Sequence, residues 1–322
     1  MTEKILKEAA AATGGLFAVD SAEGPSEIVY ENGEFRIGVC GGTLLVKGLD
    51  ESRTDIVALV AGLLAADAAE EQELHALGDL LGCAVPLEEA VVSCVRAGIS
   101  DIPRVVFLVQ SVRAIDNIPE PDDLGEAFTE DAGDLIYPVD PGSFVIAKRS
   151  GEDFDPKAFA GMIADTMMTE IMISVRVSYS RVTGGLFGLR EAYEQAKKAM
   201  RTLAISDRGD VTLGFSDRGF GGLVAEADTG TCLEFIEEYY EDRLLPGMDE
   251  SLTHAASKFL RNSLNISETA RDLYMHRNTF IYQLDKIEKI TGLNLRNFND
   301  AMTYRLLSMA DRRLNDEDRE RI

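Results

Sequence analysis

Hydrophobic residues fall into three rhythms along this 322-residue chain. Near the start they form short runs suited to strands, at 16–20 (LFAVD), 27–31 (EIVYE), 34–40 (EFRIGVC) and 43–48 (TLLVKG). The turns ENGE and CGGT between them suit hairpins, since Asn-Gly and Gly-Gly accept positive φ. A short helix is predicted before the pair Gly14, Gly15, and further helices over 54–69, 70–81 and 87–97. The longest apolar stretch, IVALVAGLLAADAA at 56–69, is too short to span a bilayer, which takes ~18 residues. It is rich in alanine and ends at acids, so it reads as a core helix. In the middle of the chain the apolar run RVVFLVQ, 104–110, suits a buried strand. An acidic, proline-bearing segment follows at 117–134, with a short helix predicted over 122–128. LIYPVDPGSFVIAKR, 135–149, reads as a hairpin turned at Asp140, Pro141 and Gly142. A helix over 156–170, a strand over 172–180, a helix over 186–203 and a strand over 211–215 complete the block. The order suits a sheet with antiparallel pairs and helices on one face.

From 231 onward the pattern is helical, with support helices predicted over 234–243 and 252–262. The stretch ISETARDLYMHRNTFIYQLDKIEKITGLNL, 266–295, reads as two helices joined by a short turn at 274–276. Ser267 is the predicted N-cap of the first, over 268–274, which presents Ala270 and Leu273 to its partner. The second runs over 277–290 and stops before Gly292. Phe280, Leu284 and Ile287 make one apolar stripe, flanked by Ile281 and Ile290. At about 100° per residue the opposite face carries Asn278, Tyr282 and Lys289, with Thr279, Asp285 and Lys286 at its edges.

Charge changes how that face is read. The net charge of −24 argues against general affinity for nucleic acid. Yet 251–314 holds ten basic and six acidic residues, a net of +4. A mildly basic module therefore follows a very acidic body, an asymmetry that points to nucleic acid. Asn can bond both edges of adenine and Thr can touch a thymine methyl, while lysines further along meet phosphates. The plainer reading is a helical hairpin with a solvated polar face. Four cysteines and three histidines, with no Cys-x-x-Cys pair, predict reduced, mostly buried thiols, no metal site and no cofactor. The first residues lack the apolar core of a signal peptide, so a cytoplasmic location without membrane contact is expected.

The 266–300 stretch resembles the C-terminal helix-turn-helix of the PucR/CdaR family of bacterial transcription regulators. Thr269, Ala270, Leu273, His276, Arg277, Asn278, Thr279, Tyr282, Leu284, Ile287, Thr291, Gly292 and Leu295 carry the resemblance. It implies a sequence-specific, non-enzymatic regulator that is a homodimer or higher homo-oligomer. Its partner is double-stranded DNA, with room for a small-molecule effector. The expected DNA-binding residues are Ser267, Thr269, His276, Arg277, Asn278, Thr279, Tyr282, Lys286 and Lys289. Ile281, Gln283 and Asp285 stand where the family commonly has basic residues, and Asp285 is expected to repel phosphate.

SYSRVTGGLFGLREAYEQAKKAM, 178–200, resembles part of the degenerate GGDEF-like domain found upstream of this helix-turn-helix. The hairpin YPVDPGSFVIA lacks the Gly-Gly pair and adjacent acids of a working cyclase, and Asp140 reads as a turn residue. TGGLFG and RGFGG lack the Lys-Ser/Thr of a phosphate loop and read as turns. Arg176 and Arg181 read as salt-bridge partners of the acidic body, and Met162, Met167, Met168 and Met172 as core filler. The expected fold is α+β and multidomain. A sensory or oligomerising α+β domain occupies 1–98, a GGDEF-like mixed sheet with helices 99–228, an all-α helix-turn-helix domain 229–314 and an acidic tail 315–322. Two alternatives remain: a nucleotide-binding or cyclase-like protein acting through the middle domain, and a protein-interaction adaptor whose helix-turn-helix no longer binds DNA.

Overall fold

The computed structural model describes residues 2–40, 42–113, 124, 127–129, 133–206, 209–240 and 247–320. The chain divides into two compact units, Met1–Asp101 and Ile102–Ile322. The fold is α+β in both, as the sequence predicts, with an all-helical end.

In the first unit, helix α1 (Thr2–Thr13) leads into strands β1 (Leu16–Asp20), β2 (Val29–Glu31), β3 (Glu34–Val39) and β4 (Gly42–Lys47). They form an antiparallel sheet in the order β1-β4-β3-β2. Asn32 and Gly33 both have positive φ at the β2–β3 turn, which is why Asn-Gly stands there. Helices α2 (Thr54–Gly82) and α3 (Leu87–Arg96) follow. The break expected between 69 and 70 is absent, because the junction is Ala, Glu and Gln, all strong helix formers. The first half of α2 buries Val57, Val60 and Leu64 against Phe35, Leu44 and Val46 of the sheet. Its second half buries Leu77, Leu80 and Leu81, and packs on α3.

The second unit is built on strands β5 (Arg104–Ser111), β6 (Leu135–Asp140), β7 (Ser143–Arg149), β8 (Val175–Tyr179) and β9 (Thr212–Gly214). Their order is β6-β7-β5-β8-β9, with β8 and β9 parallel and the other pairs antiparallel. Helices α4 (Pro156–Thr169) and α5 (Leu186–Ile205) cover opposite faces, not one face as expected. Val105, Phe107, Val109, Val175 and Val177 meet Ala160, Ile163 and Met167 of α4. From the other face of β8, the Ser178 hydroxyl donates to the Ala196 carbonyl of α5 at 2.8 Å. The cause is legible in RVVFLVQ and SFVIAKR: continuous apolar runs must be buried on both sides. The short helix expected over 122–128 lies mostly outside the described residues; Leu124 and Phe128 are described and fill the core on the α4 side.

Helices α6 (Gly219–Glu226), α7 (Thr229–Glu237), α8 (Glu250–Arg261), α9 (Ile266–Asp272), α10 (Arg277–Thr291) and α11 (Phe298–Glu320) complete the unit. The helix expected over 234–243 begins earlier, because the Asp228 side chain caps it by accepting from Thr231 N at 2.9 Å; residues 241–243 lie outside the described residues. The division expected at 228/229 falls inside this unit, where α11 packs on α5, α6 and α7. Gly221 makes that contact possible, since a Cβ there would stand 2.6 Å from Met309 Cε. The RGFGG stretch is thus a close-packing start to a helix rather than a turn. No helix among the described residues is long and apolar enough to cross a membrane.

Several side chains depart from expectation. Cys94 and Cys232 are buried, but Cys40 and Cys83 are exposed. Met167 is core, whereas Met162, Met168 and Met172 are exposed. Met172 has φ 62, in the left-handed region. Arg181 stacks over the Phe215 ring and donates to Ser216 Oγ at 3.2 Å, with no acid paired to it among the described residues.

Candidate nucleic-acid interface

The hairpin α9–α10 is fixed by three backbone devices. Asn265, not Ser267, caps α9: its side chain accepts from Ser267 N at 3.1 Å and Glu268 N at 3.2 Å. Glu268 braces the cap by accepting from the Asn265 side-chain amide, Nδ2, at 3.2 Å. The turn is closed by Tyr274, which takes φ 53 and is 98% exposed. His276 caps α10, its Nδ1 accepting from Asn278 N at 3.2 Å. Gly292, at φ 73, ends the helix.

The inner face of α10 is the predicted stripe. Phe280, Leu284 and Ile287 are fully buried, and the Phe280 ring meets Phe259 of α8 edge-on at 5.4 Å. Ala270 is buried with them. Thr269 is also buried, and its hydroxyl donates to the Asn265 carbonyl at 2.8 Å. It therefore belongs to the hairpin interior and does not join the outer surface.

The outer face brings together Arg277, Asn278, Thr279, Tyr282, Asp285, Lys286 and Lys289, all exposed. Ser267 and His276 are exposed as well, at the starts of α9 and α10. Among the described residues, the side chains of Asn278, Thr279 and Tyr282 have no hydrogen-bond partner, and Arg277 and Lys289 no ion-pair partner. Two charged groups are already engaged. Lys286 Nζ lies 3.2 Å from Asp249 Oδ2, and Asp285 pairs with Arg296. Asp249 also caps α8 by accepting from Leu252 N, and this backbone bond, with Lys286, holds its carboxyl below the ordinary value. Asp285, expected to repel phosphate, is instead offset by a guanidinium that was not singled out in the sequence. Nothing in the sequence spacing links Asp249 to Lys286 or Asp285 to Arg296. The Asn265 cap, by contrast, was available from its Asn-x-x-Glu spacing.

Residues 252–309 match the family described as PucR C-terminal helix-turn-helix domain, and residues 100–202 match the GGDEF-like domain. The chain carries a GGDEF-like domain and a PucR-type helix-turn-helix. Within the latter, the Purine catabolism regulatory protein of Bacillus subtilis (strain 168) is 47% identical over 58 residues, 18% of this chain and 11% of that protein. The uncharacterized protein YsfB of the same organism is 30% identical over 115 residues, 36% of this chain and 30% of its own length. Each match thus spans less than a third of the relative. The crystal structure of a regulator of polyketide synthase expression from Bifidobacterium adolescentis aligns with 76% of this chain and 93% of its own, at 16% identity and a TM-score of 0.33.

In the GGDEF-like domain, the β6–β7 turn uses its acid internally. Asp140 accepts from Gly142 N at 2.9 Å and from Ser143 Oγ at 2.8 Å. Nearby, Lys148 and Asp134 form a buried ion pair at 2.6 Å, with Asp134 also accepting from Arg149 N.

Proposed function

We propose that the chain is a sequence-specific DNA-binding transcription regulator of the PucR/CdaR type, with α10 entering the major groove. One observation carries this reading. Arg277, Asn278 and Thr279, the first residues of α10, are exposed while Phe280, Leu284 and Ile287 one turn on are locked in the core. Recognition helices contact base edges chiefly through their N-terminal residues. Asn278 is the base reader, able to bond adenine in bidentate fashion, and Thr279 and Tyr282 complete the reading edge. Arg277 and Lys289 meet phosphates. Lys286 reaches a phosphate only by leaving Asp249, which weakens its share. Ser267 and His276 contribute at the backbone from the two helix starts, and Thr269 supports from within.

The charge of the rest of the chain opposes DNA, so single-site binding is weak and a homo-oligomer on repeated sites supplies the remainder. In this reading the N-terminal domain, 1–98, receives the signal, the GGDEF-like segment relays it, and neither catalyses a reaction. The engagement of Asp140 within its own turn supports the last point. The reading is tested by fluorescence anisotropy of the full chain with DNA from upstream of its own gene and an unrelated duplex, at two salt concentrations. Tight, salt-sensitive binding to one fragment supports it; equal, negligible binding to both at low salt contradicts it.

A further inference from the structure

The polar side of α8 lies outside the surface just described. Positions 250, 253, 254, 257, 258 and 261 recur three and four apart and so share one side of the helix. Leu252, Ala255, Ala256 and Phe259 occupy the other side and are buried. The polar side lines a cleft of about 450 Å³, together with Met248 and Gly209, which follows α5 and precedes β9. Small-ligand sites generally run from roughly 300 to 1,000 Å³.

The cleft is balanced in charge where the chain is strongly acidic: Lys258 and Arg261 face the carboxylates of Glu250 and Asp210. It is lined by Thr253, His254, Ser257, Lys258 and Arg261, with Glu250 supplying its carboxylate. The chain as a whole carries −24. Among the described residues neither His254 nor Lys258 has an ion-pair partner. Arg261 pairs with Asp210, and a Cβ on neighbouring Gly209 would stand 3.0 Å from its guanidinium. Lys258, Arg261 and two hydroxyls thus line one concave space, a donor set that holds an anion with two charged oxygens once Arg261 exchanges Asp210 for it.

We propose that this cleft binds a small dianion, a phosphate monoester or a dicarboxylate, between Lys258 and Arg261, with Ser257 and Thr253 donating to its remaining oxygens. The ligand competes with Asp210 for Arg261. It therefore acts on the contact between α8 and the segment following α5. At its other end α8 is joined to α10 through Asp249 and Lys286. The site stands whether or not α10 reads DNA.

Isothermal titration calorimetry of the full chain with inorganic phosphate and with succinate, at ionic strength held constant with sodium chloride, tests this. Saturable binding with Kd at or below about 1 mM is expected for at least one of them. Lys258→Gln should weaken it roughly tenfold or more, Ser257→Ala less, and Lys289→Ala not at all, with circular dichroism confirming each fold. Binding of phosphate alone assigns phosphate esters; binding of succinate alone assigns dicarboxylates. Absence of saturable heat with both anions overturns the proposal, as does binding that Lys258→Gln leaves unchanged. A variant that loses only affinity for an unrelated duplex, with no anion binding in the parent, overturns it in favour of a DNA-backbone contact.

Discussion

The outer face of α10 and the β6–β7 hairpin are the two places where family resemblance directs attention, and they differ in what their polar atoms do. On α10, Asn278, Thr279 and Tyr282 point to solvent with no side-chain partner among the described residues. In the hairpin, Asp140 holds its own turn and Lys148 is buried against Asp134. A group that the fold has already engaged must give up that partner before it can act on a ligand. The comparison teaches that residue type places a candidate, while hydrogen-bond accounting decides whether it is available. The same accounting divides α10 itself, since Lys286 and Asp285 are partnered and, among the described residues, Lys289 is not.

The strongest way to break this comparison is to remove what holds α10 in place. Phe280→Ala empties a fully buried site against Phe259 and should cost about 3–5 kcal/mol in urea denaturation. DNA binding should disappear with it; retained stability would show that the stripe does not anchor the helix. On the hairpin side, Asp140→Ala removes two local bonds and should cost roughly 0.5–1.5 kcal/mol. Its DNA affinity should match the parent's in anisotropy, and a large loss would mean that the hairpin is part of the interface. Tyr274→Gly should stabilise by about 0.5–1 kcal/mol, because the side chain is exposed and its φ of 53 disfavours a Cβ. A lower Tm in that variant would place Tyr274 in a contact not seen here.

The smallest expected effect concerns Asp249. Its carboxyl titrates below its ordinary value of 3.8, held down by Leu252 N and then by Lys286. The stabilisation is therefore complete above that value and is lost as pH falls through the lower folded value. Asp249→Asn keeps a good cap but loses the ion pair. Thermal melts of parent and variant should differ slightly at neutral pH and converge in acid; a gap that widens in acid would refute the assignment.

Much of this was legible in the sequence because local chemistry dictated it. Asn-Gly set the β2–β3 turn, Asp-Pro-Gly the β6–β7 turn, and the 280, 284, 287 spacing the buried stripe. What was not legible depended on distant partners or on faces. Helices lie on both sides of the middle sheet because β5 and β7 are apolar throughout, a signal present in the sequence but read as compatible with one covered face. The exposure of Met162, Met168 and Met172 depends on which side of each segment meets the core, which composition does not reveal. At the candidate interface the helical spacing gave the exposed face of α10, while the resemblance added Thr269, which the hairpin buries. Neither gave a sign that Arg296 would offset Asp285 or that Asp249 would hold Lys286.

The central claim, that α10 reads bases through its first turn, is tested most directly by Asn278→Ala. Anisotropy titrations would compare the parent's preferred fragment with an unrelated duplex, alongside Lys289→Ala. The account predicts that Asn278→Ala loses roughly 1–3 kcal/mol on the preferred fragment alone and keeps the salt slope. Lys289→Ala should instead weaken both duplexes alike and flatten the slope. Equal losses on both duplexes for Asn278→Ala, or none on either, would contradict base reading by this helix.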